Sequence, residues 1–291
     1  MTNEKRVAVS LPVTVVVLTV NEESTLSACL ASVAWAQHVI VVDSGSTDRT
    51  TQIAREFGAQ VVTHPFENYG AQRNWALANL EIRTPWILNI DADERVSPEL
   101  ARFIEMALTR DDGTIAGYRM SRRTMFLGRW IRHGGHYPTW HLRLFRVGRG
   151  RCENTRYDQH FIVDGRVDAL EGDLIDTLTT DVATYVRRHV RWAELEAEGS
   201  ASASDRMRGE LSARDPMRRR RWLRERYGRL PLFARPFLYF IYRYFIRLGF
   251  LDGTPGLVFH VLQGFWFRFM VDALVYERRL AETNVARPQD R

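Results

Sequence analysis

The chain reads as an α/β fold, a mostly parallel sheet flanked by helices, followed by a C-terminal helical region suited to associating with a membrane. Three observations lead there. Short β-branched runs alternate with segments of helical periodicity, polar residues gather where those runs end, and the C-terminal part turns basic and aromatic. At 291 residues the chain can bury one substantial core and carry an appendage.

Val13 to Leu18 is a β-branched run bounded by Pro12 and Asn21, too short to span a bilayer and suited to a strand buried on both faces. Leu26, Leu30 and Val33 then recur at helical spacing, after Asn21-Glu22-Glu23-Ser24 has supplied capping side chains. His38 to Val42 is the second strand. Asp43-Ser44-Gly45-Ser46-Thr47-Asp48 is turn chemistry, Ile53, Ala54 and Phe57 mark a second helix, and Gly58 is placed to end it. Gln60 to Thr63 is the third strand, Gly70 to Asn79 a helix, and Trp86 to Ile90 the fourth strand. Ser97-Pro98-Glu99 opens another helix with a capping Ser and a Pro in the first turn. Such alternation implies right-handed crossovers and ligands bound beyond the carboxyl ends of the strands.

Those ends hold Thr19, Asn21 and Glu22 after the first strand, Asp43 after the second, and Asp91 with Asp93 after the fourth. Asp91-Ala92-Asp93 presents two carboxylates where a buried strand meets solvent. Mg²⁺ and Mn²⁺ take hard oxygen ligands of this kind and share them with substrate phosphates. Ordinary turn chemistry also accounts for an isolated Asp-x-Asp, so the setting decides. No Gly-x-Gly-x-x-Gly follows the first strand and no Gly-Lys-Ser/Thr loop occurs. That argues against the usual dinucleotide fold and a P-loop NTPase, and it leaves the phosphates to a metal held by Asp91 and Asp93.

The run Val15-Val16-Val17-Leu18-Thr19-Val20-Asn21-Glu22-Glu23, then Val41-Val42-Asp43-Ser44-Gly45-Ser46-Thr47-Asp48-Arg49-Thr50, then Asn89-Ile90-Asp91-Ala92-Asp93-Glu94, resembles the family 2 glycosyltransferases of GT-A (Rossmann-like) fold in order and spacing. Leu127-Gly128-Arg129-Trp130-Ile131-Arg132-His133-Gly134-Gly135, with Tyr137-Pro138, Arg143-Leu144-Phe145, Val163-Asp164-Gly165 and Leu248-Gly249-Phe250-Leu251-Asp252-Gly253, looks like the subgroup containing lipopolysaccharide-core β-1,4-glucosyltransferases. The resemblance implies a nucleotide-sugar donor, most often a UDP-sugar, and inverting transfer to a lipid-linked saccharide, lipopolysaccharide-core or exopolysaccharide acceptor. It also implies Mg²⁺ or Mn²⁺ at Asp91 and Asp93. By similarity Thr19, Asn21, Glu22 and Asp91 line the nucleotide pocket, Asp43 accepts a hydrogen bond from the base, and Arg73 lies near the nucleotide. The residues on their own also allow a capping Asn21, a turn-forming Asp43 and a solvated Arg73.

The match departs at the catalytic base. The subgroup usually shows His-Glu shortly before Val-Asp-Gly, whereas this chain has Arg156-Tyr157-Asp158-Gln159-His160-Phe161-Ile162-Val163-Asp164-Gly165. Gln159 cannot take a proton, so Asp158 is the first candidate and His160 the second. Glu94 is a third carboxylate, with hydrogen bonding to donor hydroxyls as its other reading. His136 and Thr139 stand where the subgroup often has Trp and Asp, which bears on sugar or acceptor choice. His133, His136 and His141 lack a nearby Cys and a helical i, i+4 pair, so they do not form a zinc pattern.

Residues 1–205 are expected to form the catalytic domain and 206–291 a basic, aromatic helical region. Met1-Thr2-Asn3-Glu4-Lys5-Arg6 leads into too short an apolar run for a signal peptide, which places the catalytic part in the cytoplasm. Two cysteines, Cys29 and Cys152, make no disulfide framework. The net charge of +6 concentrates in Arg218-Arg219-Arg220-Arg221-Trp222-Leu223-Arg224-Glu225-Arg226, ahead of an aromatic stretch carrying Arg243 and Arg247. Arginine and aromatic residues beside an apolar stretch suit the anionic cytoplasmic face of the inner membrane. Leu257 to Tyr276 contains His260, Gln263, Arg268 and Asp272. A charge at the bilayer centre costs about 3 kcal/mol, so a peripheral or shallowly inserted hairpin fits better than two spans. Helices packed on the catalytic domain or in a homo-oligomer are the alternative. No nucleic-acid motif accompanies the arginines, so nucleic acid is not expected as a partner. A sugar-phosphate nucleotidyltransferase would need a glycine-rich, arginine-containing loop where Thr19 to Glu23 stands. A non-catalytic membrane scaffold is the remaining rival.

Overall fold

The computed structural model describes residues 10–153, 159–179, 181–202 and 226–285. Asp158, the arginines at 218–225 and the expected boundary after residue 205 lie outside the described residues. The chain divides into two compact units, one of residues up to Met125 with Tyr137–Leu178, the other of Phe126–His136 with the chain from Thr179 onward.

In the first unit β1 (Leu11–Thr19), β2 (Ala36–Asp43), β3 (Gln60–Thr63) and β4 (Trp86–Asp91) form the parallel half of a mixed sheet. Helices α1 (Leu26–Ser32), α2 (Thr50–Glu56), α3 (Tyr69–Asn79) and α4 (Pro98–Thr109) flank it. Alternating side chains of β1 serve two cores. Val13, Val15 and Val17 pack with Leu26, Val41, Leu88 and Leu100, while Val16 and Leu18 pack with Val42, Ala76, Ile87 and Phe145. Caps set the helix starts: Asn68 accepts from the Ala71 N–H at 2.9 Å and Ser97 from the Leu100 N–H at 3.1 Å, with Pro98 following. Gly58, at φ +76°, takes the left-handed conformation that ends α2.

The other half of the sheet comprises β5 (Glu94–Val96), β6 (Ile115–Phe126), β8 (Thr139–Arg146) and β11 (Arg166–Thr179), with the short β7 (Arg129–Trp130) between β6 and β8 in the chain. The strand order is β3-β2-β1-β4-β8-β6-β11-β5, with β8 antiparallel to β4 and β11 antiparallel to β5. The strands β9 (Gly150–Cys152) and β10 (Phe161–Val163) form a separate ribbon. Register places Thr19 beside Asp43 and Leu18 beside Asp91, so the carboxyl ends of β1, β2 and β4 share one edge.

The second unit contains α5 (Val182–Ser202), α6 (Ala234–Ile241), α7 (Gly253–Phe259) and α8 (Phe267–Val285), joined after α6 by irregular helical turns. Gly249–Glu282 is a helical run long and apolar enough, by length and composition, to cross a membrane, and 33% of its apolar window is buried. Asp272 and Arg268, in its apolar part, are paired within the unit. Asp272 is 1% exposed and accepts from Arg235 Nε at 2.7 Å and from the Phe233 N–H at 2.8 Å, and Arg268 donates to Glu196 at 2.6 Å.

His189 on α5 stacks on Tyr185 at 3.7 Å, and burial pushes its pKa down to about 4. The folded pKa lies below the unfolded value of about 6.5. The unfolded chain therefore binds the extra proton first, and the stability present above pH 6.5 is lost as pH falls through 4, to the extent of roughly 3 kcal/mol. Melting profiles of wild type and His189→Gln should therefore converge as the pH is lowered across that window. Parallel profiles would rule out His189 as the source.

Candidate active site

Asp91, at the end of β4, is held by two arginines. Arg73 Nη2 on α3 donates to its two oxygens at 2.8 and 2.9 Å, and Arg143 Nη2 on β8 donates to Oδ2 at 3.1 Å. Arg143 Nη2 also donates to Glu94 Oε1 at 2.8 Å, while Glu94 Oε2 accepts the Asp91 N–H at 2.9 Å. The turn between β4 and β5 is pinned by its backbone: Ala92 N–H donates to Leu18 at 3.2 Å, and Asp93 O accepts from Thr177 of β11 at 3.0 Å. That pairing sets Asp176 opposite Glu94 and brings its charge against Asp93.

Three adjacent carboxyl groups therefore behave differently. Burial pushes Asp91 up, but Arg73 and Arg143 outweigh it and hold the group below the usual carboxylate range. Burial followed by the charges of Asp176, Asp91, Glu22 and Glu94 pushes Asp93 well above that range. Burial also raises Glu94, against the opposing pull of Arg143.

The remaining predicted residues fall into distinct local roles. Asp43 is 2% exposed and accepts from the Gly45 and Ser46 N–H groups at 3.0 and 2.9 Å and from the Ser46 hydroxyl, the turn-forming alternative. Asn21, at φ +52°, accepts from Thr47 N–H at 2.8 Å and so ties the end of β1 to the loop after β2. The Glu22 carboxylate accepts from the Thr25 hydroxyl at 2.7 Å. Arg73 is 7% exposed, which corrects the solvated alternative: it lies against Asp91 and over the Phe161 ring. Buried Thr19 Oγ1 and Arg73 Nη1 have no hydrogen-bond partner among the described residues. His160 lies on the approach to β10 with Nδ1 3.4 Å from Glu153. Glu94 has both oxygens engaged, so its geometry suits holding Asp91 in place more than taking a substrate proton.

Sequence reasoning missed Arg143 and Asp176. Arg143 lies in Arg143-Leu144-Phe145, where nothing local marks it as a partner of Asp91 and Glu94, and Asp176 has no local signal because its importance comes from pairing with β5.

The family described as "Glycosyl transferase family 2" matches residues 14–168, which run from within β1 to the start of β11 and include Arg73, Asp91, Asp93, Glu94 and Arg143. The chain belongs to glycosyl transferase family 2. This family 2 transferase is 25% identical over 275 residues to the lipopolysaccharide core biosynthesis glycosyltransferase LpsC of Rhizobium meliloti, covering 92% of this chain and 93% of that one. It is 44% identical over 90 residues to an uncharacterized glycosyltransferase of Rickettsia bellii, covering 31% and 30% of the two chains. Among solved structures, glucosyl-3-phosphoglycerate synthase of Mycobacterium tuberculosis, in complex with Mn²⁺, UDP and glucosyl-3-phosphoglycerate, is 26% identical at a TM-score of 0.33. That match covers 38% of this chain and 44% of the synthase.

A divalent cation fits the donor chemistry here. Asp93 is surrounded by four further carboxylates, of which Asp91 and Glu94 pair with Arg73 and Arg143 and Asp176 lies 3.5 Å from Arg122, so five carboxylates face three arginines. Hard oxygen donors with excess negative charge suit Mg²⁺ or Mn²⁺. The two predicted ligands are unequal, since the Asp91 oxygens already accept from guanidinium groups. Among the described residues no three His, Cys, Asp or Glu side chains make a ready ligand set. Positions beyond the aspartates would thus fall to water and substrate phosphate, as is usual for Mg²⁺.

Proposed function

We propose that this transferase moves a sugar from a nucleotide diphosphate, a UDP-sugar first among them, to a lipid-linked saccharide of the lipopolysaccharide-core or exopolysaccharide class, with inversion. The observation that carries the donor reading is Asp93, a carboxylate crowded by like charges where three parallel strands end. The acceptor class is supported by similarity along nearly the whole chain to a lipopolysaccharide-core transferase.

Asp93, with Asp91, would hold Mg²⁺ or Mn²⁺, which supplies electrostatic stabilisation to the departing diphosphate. Arg73 contributes a second positive charge from α3, and its unpartnered Nη1 is a donor for a phosphate or ribose oxygen. Thr19 Oγ1 is a further unpartnered group for the nucleotide, with Asn21, Glu22 and Asp43 shaping the loops around it. Arg143 and Glu94 fix the Asp91 carboxylate in one orientation. Asp158 is the first candidate to take the proton of the acceptor hydroxyl and His160 the second. The apolar and basic C-terminal unit would keep the enzyme at the cytoplasmic face of the inner membrane, where a lipid-linked acceptor is presented.

Calorimetric titration with UDP and with UDP- and GDP-sugars, in Mn²⁺, Mg²⁺ and EDTA, tests the donor site. One nucleotide sugar should bind in the presence of metal, and its affinity should fall at least tenfold in EDTA. Equal affinity in EDTA would remove the cation from the site. Failure of every nucleotide sugar to bind would favour the scaffold reading.

A further inference from the structure

The second unit joins two motifs that sugar transfer leaves without a task. Asp252, 2% exposed, accepts from the His133 N–H at 2.9 Å and pairs with His133 Nδ1 at 2.7 Å. Gly134 N–H donates to Arg247 O at 2.9 Å, and Gly135, at φ +70°, lies under the Arg247 guanidinium. The His260 ring fills the space that side chains at Gly134 and Gly249 would need. These contacts hold the stretch from Phe245 to Asp252 in one conformation, including a non-glycine residue, Leu248, at φ +59°.

What this scaffold presents is apolar. Phe245, Ile246, Leu248, Phe250 and Leu251 are exposed, with Ile246 at 67%. A left-handed leucine carries a steric cost and persists where its surroundings impose it. Here the imposed result is a row of large apolar side chains in solvent. Arg247 interrupts the row, exposed and without a carboxylate partner among the described residues. From Phe233 to Tyr276 the only acidic residues, Asp252 and Asp272, are both buried, so every outward formal charge on this stretch is an arginine.

We propose that the Phe245–Leu251 turn is the element that enters an anionic lipid bilayer, its apolar side chains below the headgroups and Arg247 at the level of the lipid phosphates. This deepens the membrane-surface reading and rests on it. Apolar side chains beside arginine match the two layers of such an interface. A second copy fits less well. An isologous contact sets a patch against itself, and here it would bring arginine to arginine with no exposed acid to receive it.

The test uses the full chain with an environment-sensitive fluorophore at Ile246→Cys, and separately at Glu105→Cys on α4. Cys29 and Cys152 are buried, which leaves the introduced cysteine as the accessible thiol among the described residues. With vesicles of phosphatidylcholine and phosphatidylglycerol, the label at position 246 should shift to the blue and brighten severalfold, whereas the label at 105 should not change. Arg247→Gln should weaken vesicle partitioning about fivefold at moderate salt. Sedimentation with vesicles but an unchanged label at 246 would overturn this turn as the inserting element and leave the membrane reading standing. Absence of sedimentation would overturn both. A dimer dissolved by Ile246→Ser, with no vesicle binding, would assign the face to a second copy instead.

Discussion

Asp93→Ala is expected to lower sugar transfer by about a thousandfold or more while leaving the protein folded, with its melting temperature unchanged or raised. The side chain is pressed among Asp176, Asp91, Glu22 and Glu94, and burial adds to the cost of its charge. Removing it relieves like-charge repulsion, which sets the expected sign of the stability change. Under the function proposed, transfer would lose a group that holds a cation against the diphosphate, and several kcal/mol of charge stabilisation at the transition state corresponds to about three orders of magnitude in rate. Transfer assays with the donor identified by calorimetry, run beside thermal melts, give the two readouts. Full activity in Asp93→Ala would dismiss the metal role. A strongly lowered melting temperature would show that the carboxylate has a structural partner that outweighs the repulsion.

Arg143→Met should show the opposite balance. Its guanidinium joins Asp91 and Glu94, and with the cation gone two adjacent carboxylates are left with Arg73 alone, which pairs only with Asp91. Breaking a buried ion pair by removing one partner costs about 3–5 kcal/mol, so urea denaturation should report a loss of that order. Activity should fall as well, because Asp91 loses its fixed orientation. Arg143→Lys should recover only part of either quantity, since the shorter, flexible lysine must bring its ammonium to the place where Arg143 Nη2 meets both acceptors at the end of a rigid, planar group. Wild-type stability in Arg143→Met would show that Asp91 and Glu94 are held by other means.

The parallel half of the fold was legible because its determinants are local. Val13 to Leu18 is a short β-branched run, and Ser97-Pro98 carries a cap and a first-turn proline, so each element declares itself within a few residues. The antiparallel half was not. Strand β6 carries Arg119, Ser121, Arg122 and Arg123 amid its apolar residues, which hides the two-residue alternation, and β5 is only three residues long. The candidate site divides the same way. Asp91 and Asp93 follow directly from the end of a strand. The difference between them comes from Arg73, Arg143 and Asp176, which the chain delivers from three other elements. Composition likewise cannot show which way a polar residue points. Asp272 spoils an apolar stretch on paper, yet it is buried against Arg235 within its own unit.

The imidazole of His260 occupies the room that a Cβ at Gly134 or at Gly249 would take. Residues far apart in the chain are therefore one letter of the fold's alphabet, written in three places. A lineage that placed a side chain at either glycine would first have to give up the ring, and giving up the ring alone would leave a hole between two bare backbones. Loss of the ring would not by itself admit a side chain, because Gly134 has φ +68° and a Cβ at Gly249 would still lie 3.0 Å from the Arg243 carbonyl, so the three positions are held together by more than the histidine.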